Sequence, residues 1–175
     1  MSDSRPLVLI DVDGVVNRAL FLSSRQRNRL LYGRPYGTNK TMERGWVHTW
    51  AGDRHYGERI VTHPKYGQWL TSLADRAELA WATLWTEAAN WHISPLLGLP
   101  ELRCSPFSDK GVKAVHAVAF TDGRPWAWLE DKPEELELAS ALSKGRPHHA
   151  ELVDSSAGLV RENVDWVSAW LDSLG

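Results

Sequence analysis

The chain has 175 residues, long enough for one domain with a sizeable core, and its 43% hydrophobic and 24% charged residues are an ordinary globular balance. A net charge of −2 gives no whole-molecule reason to expect a nucleic-acid or membrane partner, so any such partner needs a local patch. The single cysteine, Cys104, excludes an internal disulfide and a cysteine-rich zinc site and fits a reduced, cytoplasmic setting. The opening "MSDSRPLVLID" reaches an aspartate too soon for a signal peptide or a membrane span.

"LVLI" at 7–10 reads as a strand buried on both faces, running into Asp11, Asp13 and Gly14. From 18 to 62 that pattern dissolves: Arg25, Arg27, Arg29, Arg34, Lys40 and Arg44 are interleaved with aromatic residues. Within this segment "GWVHTW" and "ERIVTH" flank "AGDRHYG" as a hairpin with a long turn. A helix is predicted from Pro64 to about Ala77, then a buried strand "ELAWAT" at 78–83. "EAANWHISPLLG" reads as a helix that Pro95 kinks or shortens, and "ELRCSPF" as a short strand or link. "SDKGVKAVHAVAF" is predicted as a helix capped by Ser108, with Val112, Val115 and Ala119 in register. "PWAWLED" is a strand ending in acids, "PEELELASALSKG" a helix bounded by proline and glycine, and "HAELVD" a fifth strand. "LVRENVDWVSAWLDSL" closes the chain as an amphipathic helix. The alternation predicts a single α/β domain over 1–175, a mostly parallel sheet of five core strands between helices, with 18–62 as a flap or small cap. Ligands of such sheets lie beyond the carboxyl ends of the strands. The ten tryptophans are expected in the core or around a pocket.

The strand ends carry the chemistry. Asp11 and Asp13 end the first strand, Glu130 and Asp131 end "WAWL", Thr83 ends "ELAWAT", and Lys110 opens the helix after the third strand. Carboxylates gathered on one edge repel unless a cation neutralises them, and oxygen-only ligands select a hard ion such as Mg²⁺. Mg²⁺ beside a lysine and a hydroxyl describes a phosphoryl site, in which a carboxylate can act as nucleophile. An acidic turn is the bland alternative for "DVDG" alone, and the second acidic strand end makes it the weaker one. An EF-hand calcium loop, a GxGxxG fingerprint and a Walker loop are all missing. A receiver-like domain needs an acceptor aspartate ending a middle strand, and "ELRCSPF" offers none. The histidines show no metal-ligand spacing, and Cys104 reads as filler.

"LVLIDVDGVVN" resembles the first motif of the haloacid dehalogenase (HAD) superfamily of phosphohydrolases, DxDGVxN after an apolar strand. "ELAWAT" resembles the second motif, Lys110 stands where the third-motif lysine would, and "WAWLED" resembles the fourth. The order along the whole chain is similar, and the pattern "WATLW…AN…WLED…GLVRENVDWVSAWL" looks most like small bacterial HAD proteins grouped with RNA-repair-associated HAD domains. The resemblance implies a three-layer Rossmann-like fold and a Mg²⁺-dependent phosphatase. Asp11 would be the nucleophile and Asp13 the acid and base. Thr83 and Lys110 would bind phosphate, and Asp131 or Glu130 would hold Mg²⁺ with Asp11 and the backbone carbonyl of Asp13. Glu130 replaces the aspartate common at its position, so which acid meets the metal stays open. Lys113, one turn beyond Lys110, and Thr86, beyond Thr83, are the rivals. Glu134 and Glu135 are either an added acid or partners of a helix dipole.

Arginines mixed with Tyr32, Tyr36, Trp46 and Trp50 in segment 18–62 suit a phosphorylated nucleotide or a nucleic-acid end, with a solvated flap as the plainer reading. A small cap leaves a site open to macromolecular ends. A phosphotransferase on the same site, or a binding module without turnover, are the alternatives; intact Asp11 and Asp13 argue against the latter.

Overall fold

The computed structural model describes residues 5–18, 41–52, 57–107 and 111–175. Five strands form one sheet: β1 (Leu7–Ile10), β5 (Glu78–Trp81), β6 (Arg103–Cys104), β7 (Trp126–Glu130) and β8 (His148–Leu152). Their order is β6-β5-β1-β7-β8 and every pairing is parallel. The expected α/β fold with five core strands is therefore present, a Rossmann-like three-layer arrangement. The chain builds outward from β1 first through β5 and β6, then on the other side through β7 and β8. The switch point thus falls between β1 and β7, where a crevice opens at the carboxyl ends.

Alternation along β1 divides the core. Leu7 and Leu9 face one way, into a cluster with Trp126, Trp128, Ala80, Ala114, Ala117, Val118, Leu136 and Ala139. Val8 and Ile10 face the other way, among Trp81, Leu129, Leu70, Ile93, Val164, Val167 and Leu171. Helices α4 (Lys113–Phe120) and α5 (Pro133–Leu142) therefore cover one face. On the other lie α1 (Lys65–Thr71), α2 (Ala88–His92), α3 (Ser94–Leu97) and α6 (Arg161–Asp172). Trp81, Trp126 and Trp128 are fully buried core residues, whereas Trp91 and Trp166 are largely exposed.

Pro95 marks the expected break: α2 ends at His92 and α3 restarts at Ser94. Two other helix boundaries differ from expectation. The first helix stops at Thr71, and turns carry the chain on to Ala77. The third helix begins only at Lys113, after an extended Val112, and the expected cap Ser108 lies outside the described residues. Its buried side is Lys113, Ala114, Ala117 and Val118, while Val112, Val115 and Ala119 face solvent. A buried lysine on the inner face defeats a reading based on apolar spacing.

The segment expected as a flap holds, among its described residues, a second sheet, antiparallel β2-β3-β4: β2 (Thr41–Glu43), β3 (Trp46–Gly52) and β4 (Gly57–Thr62). The expected β3–β4 hairpin is present. Arg44 and Gly45, both at positive φ, close the β2–β3 turn in the manner of two-residue hairpins. Ile60 and Ala51 pack into the main core, and Trp46 meets Tyr66 edge-on at 5.9 Å. Arg25, Arg27, Arg29, Tyr32, Arg34, Tyr36 and Lys40 lie outside the described residues.

Candidate active site

Asp11 follows β1 directly, its N–H donating to Leu129 O on β7 at 3.0 Å. Glu130 ends β7, so both acids reach the crevice from adjacent strands. Thr83 stands two residues beyond Trp81, which pairs with Ile10, so it belongs to the same edge. Asp11 and Glu130 are 4% and 0% exposed, burial that carboxylates tolerate only with a partner.

That partner is Lys113. Its Nζ lies 2.8 Å from Asp11 Oδ1 and 2.5 Å from Glu130 Oε2. Lys110 lies outside the described residues; the lysine that meets Asp11 is its rival, three positions on in the sequence. Lys113 starts α4, and the side chain of Glu135 steadies that start by accepting the Ala114 N–H at 2.7 Å. Glu135 thus acts as a partner of the helix start, one of the two roles expected for it.

One ammonium between two buried carboxylates leaves surplus negative charge. Burial, then Asp11, push Glu130 up to about 8. Burial also raises Asp11 above its ordinary value, although Lys113 works against this. Burial disfavours the Lys113 ammonium, but Asp11 and Glu130 outweigh it and hold the lysine above its usual value.

Asp131 follows on a half-buried loop with Oδ1 buried and without a hydrogen-bond partner. Oxygens of Asp11, Glu130 and Asp131 lie within 4.8 Å of one another. An all-oxygen set with an orphaned carboxylate oxygen fits a hard divalent cation. The two acids at the end of β7 differ in their engagement. Glu130 Oε1 accepts the N–H groups of Asp131 and Lys132 at 3.1 and 3.2 Å, and Oε2 accepts from Lys113. Asp131 retains a free oxygen.

Asp13 is exposed to the crevice, with Oδ1 accepting from Asn17 Nδ2 and Oδ2 from Trp85 Nε1, both at 2.8 Å. Thr83 Oγ1 accepts the Trp85 N–H at 3.3 Å. Thr86 lies past that turn at positive φ, its carbonyl accepting the Cys104 thiol, and takes a structural part. Gly14 is the pivot of the loop. At φ 81° it runs so close to Asp131 that a Cβ would sit 2.2 Å from Oδ2. Spacing alone missed Asn17 and Trp85. Asn17, the closing residue of the DxDGVxN pattern, was visible as a motif letter but not as a contact.

No family model matches the chain, and no curated protein matches it by sequence. The structure is similar to the HAD domain of effector protein Lem4 from Legionella pneumophila, with a TM-score of 0.58 at 13% identity, covering 97% of this chain and 96% of that one. The hypothetical protein XCC2798 from Xanthomonas campestris aligns with a TM-score of 0.48 at 19% identity, over 98% of this chain and 87% of that one. The first likeness identifies a HAD-like fold. Among the described residues no helix is long and apolar enough to cross a membrane.

Proposed function

Proceeding from a HAD-like fold with acids at its switch point, we propose that this protein is a Mg²⁺-dependent phosphatase that hydrolyses phosphomonoesters through an aspartyl-phosphate on Asp11. One observation carries the reading: Lys113 bridges Asp11 and Glu130 beside an Asp131 oxygen that has no partner.

Lys113 holds Asp11 Oδ1, which leaves Oδ2 to attack phosphorus. As that O–P bond forms, the ester P–O bond breaks, its electron pair passes to the leaving oxygen, and Asp13 supplies the proton. Asp13 then takes a proton from the water that cleaves the aspartyl-phosphate. Thr83 spends an oxygen lone pair on the Trp85 N–H and keeps its O–H for a phosphoryl oxygen. Asp11 and Asp131, with the Asp13 carbonyl, would hold Mg²⁺, whose charge supports the phosphoryl oxygens. Glu130, engaged with Lys113 and two backbone N–H groups, orients the lysine.

For the substrate we favour a phosphorylated nucleotide or nucleic-acid end, because segment 18–62 mixes arginines with aromatic residues. The single cysteine accords with a cytoplasmic setting. Phosphate release from an aryl phosphate, with and without Mg²⁺, is the test. Turnover requiring Mg²⁺ and abolished in Asp11→Asn is expected; turnover surviving that substitution overturns the assignment. Charge reversal at Arg25, Arg27 and Arg29 should then raise KM for a nucleotide but not for the aryl phosphate, and equal effects would sink the substrate class.

A further inference from the structure

The loop carrying Asp13 is joined to the flap sheet by one buried amide. Asn17 is 8% exposed. Its Nδ2 donates to Asp13 Oδ1 at 2.8 Å and to Arg59 O on β4 at 3.1 Å, while its Oδ1 accepts the Val61 N–H at 2.8 Å. Only one amide orientation satisfies all three partners. Flipped, the oxygen would face a carboxylate and a carbonyl, and the NH₂ group would face another N–H. The Arg18 N–H extends the seam by donating to Val61 O at 2.9 Å. Residues 17 and 18 therefore run along the free edge of β4.

The other oxygen of Asp13 is fixed from the opposite side by the Trp85 indole N–H, in the loop that follows β5. An exposed aspartate would otherwise sample several rotamers. Here two donors on separate elements aim one carboxyl group. Each oxygen retains a second lone-pair direction, so the clamp leaves room for the proton that Asp13 must pass on.

We infer that Asn17 and Trp85 are positioning residues for Asp13, and that Asn17 makes the seating of the flap sheet a condition for the acid's aim. This rests on the phosphatase reading above. A general acid works only within hydrogen-bond reach of the leaving oxygen, and a displacement of about 1 Å costs on the order of a hundredfold in rate. The flap sheet thereby sets whether the leaving group receives its proton.

The leaving group provides the readout. A dinitrophenolate departs without a proton, whereas an alkoxide needs one. kcat/KM ends at leaving-group departure and is blind to the later water step. It should be measured across phosphomonoesters from dinitrophenyl to alkyl for wild type, Asn17→Asp, Trp85→Phe and Val61→Pro. Asn17→Asp keeps the acceptor for Val61 but turns a carboxylate on Asp13. Val61→Pro removes the flap's donor at an edge position where proline is tolerated. Each variant should lose at least about tenfold on the alkyl ester and less than about threefold on the dinitrophenyl ester, a fraction of the 10²–10⁴ that acid–base catalysis contributes. Equal losses on both esters would make the contacts merely structural and overturn the inference, as would no loss on either. Should Asn17→Asp fail to fold, Val61→Pro decides the flap's part and Trp85→Phe, at a half-buried site, the indole's, by the same comparison. A wild type inactive on every ester would overturn the phosphatase reading and this inference with it; an active wild type with flat variants overturns the inference alone.

Discussion

Gly14 shows how much one missing methyl group can decide. Its positive φ costs an L-residue about 1–2 kcal/mol, and the space where a Cβ would go is occupied by the Asp131 carboxylate. Gly14→Ala should therefore do two separable things. Melting in EDTA should reveal the backbone cost as a lower Tm, and titration with Mg²⁺ should reveal weaker binding because Asp131 has been pushed aside. A lower Tm with unchanged Mg²⁺ affinity would mean that the close approach plays no part in the site. At this scale the sequence was half legible. Asp11, Asp13, Thr83 and Asp131 are set by position at strand ends, which periodicity finds. The Gly14–Asp131 contact, the Asn17 amide and the choice of Lys113 depend on packing between segments far apart in the chain, and no local pattern encodes that.

Strands were the most legible elements, because short apolar runs between turns have few other ways to bury themselves. Helix limits were less so, and the region after β5 shows why. There Asn90 replaces regular structure with a side-chain junction. Its Oδ1 accepts the Leu102 N–H at 2.9 Å and the Trp81 indole N–H at 3.0 Å, and its Nδ2 donates to Leu102 O at 2.7 Å. These bonds fasten the broken helix pair to β5 and to the approach to β6. Asn90→Ala would strand buried donors and an acceptor. With Ser94 Oγ still within 3.3 Å of the indole, the expected cost is about 2–3 kcal/mol, read as a lower urea midpoint at unchanged m. Cys104 lies beside this junction, its sulfur 3.5 Å from Asn90 Nδ2. Burial first, then Glu87, push its thiol up to about 12 from 9.0. The folded protein should therefore keep the thiol protonated between pH 9 and 12, where an unfolded chain carries thiolate. That contribution to stability is complete below pH 9 and fades as pH rises toward 12. Iodoacetamide should label native Cys104 slowly at pH 9 and quickly once urea unfolds the chain; equal rates would show an accessible, ordinary thiol.

Over the whole molecule, the sheet order and the charge balance point to one place. Building outward from β1 in both directions leaves the crevice beside Asp11, and the chain then fills it with three acids against one ammonium. Such an excess of buried carboxylate opposes folding, and in the metal-free protein it is relieved by protons, with Glu130 pushed up to about 8. A divalent ion that binds only the folded state relieves it better. Linkage sets the scale: at a hundredfold excess over Kd the stabilisation is about 2.7 kcal/mol. For a chain of this length that corresponds to a rise in Tm of about 5–10 °C. Asp131→Asn keeps the shape but removes the charge and leaves one neutral amide oxygen in place of a carboxylate, so it should melt in EDTA at or above the wild-type temperature and lose most of the response to Mg²⁺. A variant that loses stability in EDTA yet keeps the full Mg²⁺ shift would locate the ion elsewhere. The two signs, stabilised without metal and unresponsive to it, together distinguish an acid retained for a cation from one that serves the fold.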